Sequence, residues 1–150
     1  MTIQYRVTNV KECFDDVFKL LKDHYDEVET IKDFQLNPDY HVYFEADKKK
    51  LVKVILCEDD GVLVGYIVFF VGPNLHYRHS LIATEDIYYL KPEYRKGRTG
   101  IKMFQFAEEY LKSIGINMIR YSTKTHLDNS RLFEYLGCNF IEKIFIKRIQ

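Results

Sequence analysis

Net charge is the first thing this 150-residue sequence lacks, its 22 Lys and Arg balancing 22 Asp and Glu. A neutral chain has no general field to attract nucleic acid, so any basic site must be focal and no nucleic-acid partner is expected. Cysteine is scarce and odd in number. Cys13, Cys57 and Cys138 each lie within an apolar pattern and read as reduced core thiols, and no spacing suggests a zinc site or any other metal. No apolar run approaches the ~18 residues needed to cross a bilayer, and no leader-like segment opens the chain. A cytoplasmic location without a membrane partner is therefore expected. Repeats, linkers and low-complexity stretches are missing too. What is present is globular in character, with 47% apolar and 15% aromatic residues. One domain over residues 1–150 is expected, long enough to bury roughly two-thirds of the surface its unfolded form exposes.

Hydrophobic periodicity divides the chain into elements. Gln4 to Val7 alternates as a first strand, and Asn9 with Glu12 three residues on forms a capping-box pattern. The helix this predicts carries Val10, Cys13, Phe14, Val17, Phe18 and Leu21 on one stripe and ends near His24. A short helix is expected over Glu29 to Phe34, ended by the turn Asn37-Pro38-Asp39. Lys48-Lys49-Lys50 reads as a solvated turn. Leu51 to Cys57 and Val62 to Val71 flank Asp59-Asp60-Gly61, which is hairpin chemistry. Strands then follow over Ala83 to Leu90 and Met118 to Thr123, with a long helix from Ile101 to Ile114 between them. Asn129 to Leu136 predicts a short helix ended by Gly137, and Phe140 to Ile149 a final strand with apolar alternation.

The most informative stretch is Tyr94-Arg95-Lys96-Gly97-Arg98-Thr99-Gly100. It lies between a strand and a long helix, where free backbone N–H groups and the positive end of the peptide dipoles make an anion site. Four of the eight residues from Arg95 to Lys102 are basic, which makes this the best focal basic site.

Element order and motifs together resemble the GNAT superfamily of acyl-CoA-dependent N-acyltransferases. The residues from Asp86 through Pro92-Glu93-Tyr94-Arg95 to Gly100 are similar to the family's strand, corner and pyrophosphate loop. Leu132-Phe133-Glu134-Tyr135-Leu136-Gly137-Cys138-Asn139-Phe140 resembles its L-Y-E-K-L-G-F helix and strand. Val64-Gly65 resembles its third strand. The resemblance implies an α/β fold with a mixed, mostly antiparallel sheet of six to seven strands, about four helices on its faces and a splayed central strand pair. It implies acetyl-CoA as co-substrate, held by Tyr89, Leu90, Arg95, Lys96, Gly97, Arg98, Thr99 and Gly100, with the backbone near Tyr89 and Leu90 hydrogen-bonding the pantetheine and polarising the thioester. Transfer would run directly to an amine acceptor, a small molecule or a protein, and a homodimer is compatible with the family.

Three positions depart from the pattern. Arg98 replaces the loop's middle glycine, giving an R-x-G-x-x-G spacing similar to bacteriophage-encoded members, which would place the protein in a host cytoplasm. Phe133 stands where many members carry a tyrosine that protonates the departing thiolate, and His126 replaces an asparagine. Tyr135 lies about 200° around a helix from Phe133 and is expected to face elsewhere.

An amine must lose its proton to attack a thioester, which calls for a base. Glu85 and Asp86 alternate on their strand, and Asp86 is expected to share a face with Tyr88 and Leu90. Asp86 is the candidate base, weighed against a structural ion pair. Tyr88 is a candidate to shape the cleft or donate a proton, weighed against packing in the sheet. His76 and His79 read as loop residues, while Ser122 and Thr123 either line the pantetheine slot or cap the sheet. Two other readings stay open: a CoA-binding protein that has lost transfer, motivated by Phe133, and an interaction protein with a tyrosine-rich docking surface.

Overall fold

The computed structural model describes residues 1–31 and 33–149. Its elements run β1 (Ile3–Thr8), α1 (Val10–Val28), α2 (Tyr40–Lys48), β2 (Val52–Asp59), β3 (Val62–Pro73), β4 (Leu81–Leu90), a 3-10 turn (Pro92–Tyr94), α3 (Thr99–Ser113), β5 (Met118–Arg120) and α4 (Ser130–Tyr135). The sheet has the order β1-β2-β3-β4-β5 and is antiparallel throughout except for the parallel β4–β5 pair. This is a mixed sheet with four helices. It has five strands among the described residues, not six to seven.

The local causes are readable. Asn9 Oδ1 accepts from the Glu12 amide at 2.9 Å and opens α1, while Glu12 reaches back to the Thr8 hydroxyl at 3.1 Å. The helix continues past His24 to Val28. No helix forms over the described residues of Glu29 to Phe34, of which Lys32 lies outside the description. Instead Asp39 caps the N-terminus of α2, accepting from the Val42 amide at 3.2 Å. The Asn37-Pro38-Asp39 turn therefore begins a helix rather than ending one. Asp60 (φ 49°) and Gly61 (φ 80°) are both left-handed, the geometry a two-residue type I′ hairpin turn requires between β2 and β3.

Two cores pack on the sheet. One, with Ile67, Phe69, Ala83, Leu90, Phe104, Leu111 and Phe133, fills the α3–α4 face. The other, with Val10, Cys13, Leu20, Val54, Tyr66 and Tyr89, fills the α1–α2 face. Cys13 and Cys57 are buried free thiols and Cys138 is half-buried.

Phe140 to Ile149 forms no strand within its described residues, and Phe140, Ile141, Ile144, Phe145, Ile146 and Ile149 are 74–90% exposed. The alternation is intact, yet no neighbouring strand supplies the ladder bonds that would make it a strand. β5 likewise stops at Arg120, three residues short of the expected Thr123.

At Gly65 the sheet demands glycine for space. A Cβ there would lie 2.7 Å from Leu90 Cδ1 and 2.8 Å from the Tyr89 carbonyl oxygen, and the latter is backbone that cannot rotate away. Gly65→Ala is expected to cost about 1–3 kcal/mol as overpacking, seen in a thermal melt as a Tm lowered by roughly 3–10 °C. An unchanged Tm would show that β3 and β4 can part without loss.

Candidate active site

β4 and β5 pair only through Ile82–Met118, Ala83–Ile119 and Thr84–Arg120, after which the strands separate. The gap between them opens into a cleft of about 1090 Å³ bounded by β4, the end of α1, residues 122–129 and the start of α3. At the fork the Glu85 carboxylate takes over from the ladder. Its Oε2 accepts from the Ser122 amide at 3.0 Å and the Ser122 hydroxyl at 2.8 Å. Ser122 is thus tied to the fork, and Thr123 braces the loop, its hydroxyl accepting from the Asn129 amide at 2.8 Å.

The basic turn leaves its main-chain donors open. Gly97 adopts φ 95°, Arg98 caps α3 without any side-chain bond, and the amides of residues 96–101 find no acceptor among the described residues. These donors lie at the positive end of α3, where an anion is favoured. Gly97 and Gly100 line the cleft, and Lys96 and Arg98 are exposed beside it. Thr99 lies at the first turn of α3, its carbonyl accepting from the Tyr5 hydroxyl at 3.1 Å. Arg95 is engaged otherwise than expected. Its Nε donates to the Leu90 carbonyl at 2.7 Å and its guanidinium makes a two-pronged bond with Glu27, one arm at 2.8 Å. Arg95 therefore braces the turn against α1, and it already occupies one lone pair of the Leu90 carbonyl.

A β-bulge corrects the expected placement of the carboxylates. Val68 pairs with Ile87 and Phe69 with Glu85, so Asp86 has no residue opposite and the alternation shifts by one. Asp86 consequently faces α2, where Tyr43 donates to its Oδ2 at 2.5 Å. Glu85, not Asp86, shares the α3–α4 face with Tyr88 and Leu90. Both carboxylates and both neighbouring tyrosines line the cleft. Burial raises the pKa of Glu85 against its two Ser122 bonds, and raises that of Asp86 against the Tyr43 bond.

Tyr88 accepts from Asn129 Nδ2 at 3.0 Å, and burial raises its pKa, so its proton is held at neutral pH. Phe133 turns into the core, stacked on Tyr121 at 4.8 Å, and meets the Tyr88 ring edge-on at 6.0 Å. Tyr135 points away from that core as expected, and that direction is the rim of the cleft. Tyr89 is packed between the His24 ring, stacked at 5.0 Å, and the Arg95 guanidinium at 5.5 Å.

His24, Glu27, Tyr43 and Asn129 escaped the sequence reading. The signal for His24 was its place, the next turn of the Val10–Leu21 stripe. It is buried, Nδ1 lies 2.7 Å from the Tyr66 hydroxyl, and burial pushes its pKa down to about 4. His126 lines the cleft, whereas His76 and His79 are exposed on the β3–β4 loop. No metal-holding group of side chains occurs, and no helix is long and apolar enough to cross a membrane, among the described residues.

Residues 14–138 match the acetyltransferase (GNAT) family, and the chain belongs to it. Solved structures share the fold across essentially its whole length. A transcriptional regulator from Bacillus halodurans C-125 aligns with a TM-score of 0.78 at 21% identity, covering 99% of this chain and 100% of its own. A predicted acetyltransferase from Clostridium acetobutylicum, solved with acetyl-CoA, gives 0.73 at 12% identity, covering 99% and 97%. Glucosamine-6-phosphate N-acetyltransferase from Arabidopsis thaliana gives 0.73 at 13% identity, covering 100% of each chain. No curated protein sequence matches significantly.

The state of His24 makes stability depend on pH. Its folded pKa, about 4, lies below the ordinary value of 6.5, so between those values the unfolded chain binds the extra proton. His24 therefore favours the folded state fully above pH 6.5, and that contribution is lost as pH falls toward 4, at no more than about 1.4 kcal/mol per pH unit. Urea midpoints at pH 7 and pH 5 should differ less for His24→Phe than for the native chain. Equal pH slopes would mean that His24 is not buried neutral.

Proposed function

We propose that this protein moves an acetyl group from acetyl-CoA directly to a primary amine. The observation that carries the reading is the open β4–β5 fork ending at the unsatisfied amides of residues 96–101. A long thiol ester carrying a diphosphate fits that shape, its arm in the strand gap and its phosphates at the turn. Gly97, Gly100 and the amides between them would hold the diphosphate, with Lys96, Arg98 and Thr99 flanking it, and the β4 main chain at Leu90, which the ladder with β3 leaves facing the gap, would orient the arm.

The amine enters from the α1–α2 side, where Asp86 waits. Its Oδ1 has no hydrogen-bond partner among the described residues, and its Oδ2 is positioned by Tyr43. As the amine nitrogen bonds to the carbonyl carbon, its proton passes to Asp86, and the C–S bond breaks with the electron pair leaving on sulfur. Tyr88 gives that sulfur a proton from the opposite face, supplying from the strand the phenol that Phe133 cannot supply from α4. Both small amines and protein amino groups suit a cleft this open.

Phe133 also favours a second reading, a protein that keeps the coenzyme pocket without transfer. Calorimetry with acetyl-CoA and thiol release over a panel of amines separate the two. Heat with thiol release supports transfer, heat without it supports the binder, and no heat at millimolar ligand sinks both. Tyr88→Phe should lower kcat by about 10²-fold or more while leaving acetyl-CoA affinity unchanged. A variant as fast as the native chain would remove Tyr88 from the reaction. For Asp86, kcat/KM should rise with pH through its raised pKa, and Asp86→Asn should flatten that limb.

A further inference from the structure

The proposed transfer leaves His24 without a task, although it is buried and lines the cleft. Its ring is fixed on two sides. It stacks on Tyr89 at 5.0 Å with the planes 21° apart, and Nδ1 lies 2.7 Å from the Tyr66 hydroxyl.

Tyr66 determines which nitrogen carries the proton. It is 0% exposed, so solvent does not reach its hydroxyl, and His24 Nδ1 is that hydroxyl's only hydrogen-bond partner among the described residues. A buried O–H must place its proton on an acceptor, so Tyr66 donates and Nδ1 accepts. Burial keeps His24 neutral at pH 7, its pKa pushed down to about 4. A neutral imidazole that accepts at Nδ1 carries its own proton on Nε2. Nε2 has no partner among the described residues, and no partnerless side-chain nitrogen or oxygen of their buried or half-buried members is shut away from the surface. The Nε2–H therefore opens to the cleft that His24 lines.

We propose that His24 selects the acceptor: its Nε2–H donates to a neutral oxygen that the amine substrate carries, a hydroxyl or a carbonyl, and refuses a second ammonium at the same place. Tyr66 is the positioning residue that fixes the tautomer. The assignment rests on the amine entering from the α1–α2 side, as proposed above, since Tyr66 and Tyr89 place His24 on that face with Asp86. An ammonium offers only protons, and an N–H has no lone pair to receive them. The surrounding charges do not invite a second cation either. Of Glu27, Lys124 and Arg95, which act on the ring, the single carboxylate is already bonded to Arg95. Glu29, also on the cleft wall, accepts from the Thr30 and Ile31 amides and lies 3.9 Å from Lys124. The acceptor class is thus an amino alcohol or an amino amide rather than a plain alkylamine or a diamine.

Nitrogen NMR of the isotope-labelled full chain at pH 7 should find the His24 proton on Nε2 and Nδ1 bare. A proton on Nδ1 overturns the proposal. In titrations with ethanolamine, glycinamide, propylamine and putrescine, the His24 ring signals should move with the first two at concentrations where the last two leave them in place. Equal movement with all four overturns it, as does no movement with any. In thiol release, the kcat/KM of ethanolamine relative to propylamine should fall by about 3- to 10-fold in His24→Phe, the scale of one neutral hydrogen bond. The ratio compares two substrates of one preparation and does not depend on the folded fraction. Tyr66→Phe keeps the ring but frees the tautomer, and should lower the same ratio while NMR shows protons on both nitrogens. An unchanged ratio in both variants overturns the proposal. Selective ring movement without thiol release leaves His24 as the reader of the amine and sinks transfer, whereas thiol release without selectivity sinks this assignment alone.

Discussion

Only three residue pairs of parallel ladder join β4 to β5, and the site exists because the pairing stops there. A parallel pair that continued to Leu90 would satisfy the β4 backbone and close the slot. Two features oppose closure. The β4 bulge at Asp86 increases local twist just past the last paired residue. Glu85 then claims the Ser122 amide, a donor that a longer ladder would need. The carboxylate is buried at some energetic cost, as its raised pKa records, and the cost is offset by two hydrogen bonds that fix the angle of the fork.

The same bulge divides the polar side chains of β4 between faces. Without it Asp86 and Tyr88 would lie on one side of the sheet. With it, a carboxylate faces the α1–α2 side and a phenol the α3–α4 side, the separation on which the proposed transfer relies. Tyr43 and Asn129 hold these groups from α2 and from the N-cap of α4. Each of the two side chains is thus positioned from the helical layer on its own side of the sheet.

The sequence disclosed those parts of the structure whose cause is local. Asn9 and Glu12 started α1, Asp60-Gly61 fixed the hairpin, and the turn at Gly97 was legible because glycine, basic residues and a helix start coincide there. Non-local causes were not legible. The bulge depends on register against β3, so strict alternation put Asp86 on the wrong face. α2 was missed because it is short and has no fully buried residue, leaving only its cap as a signal. The final segment has a strand's pattern in full, but a strand requires a neighbour, which a single sequence cannot display.

Arg95 shows why a residue type alone does not define a phosphate ligand. Its charge is consumed by Glu27 and its Nε by the Leu90 carbonyl, so it contributes rigidity where a reading by composition assigns it attraction. Lys96 and Arg98 remain near the turn, but as exposed cations they are screened by salt within roughly 8–10 Å and are worth little individually. The main-chain amides differ in kind. They are fixed in direction by Gly97 and the first turn of α3 and lose no rotamer freedom on binding, and their dipoles add along the helix axis. The brace from Arg95 to α1 keeps that turn in place relative to β4. The distance between the turn and the strand gap, which a diphosphate-bearing thiol ester would span under the proposed function, is thereby set by a buttress rather than by a direct contact.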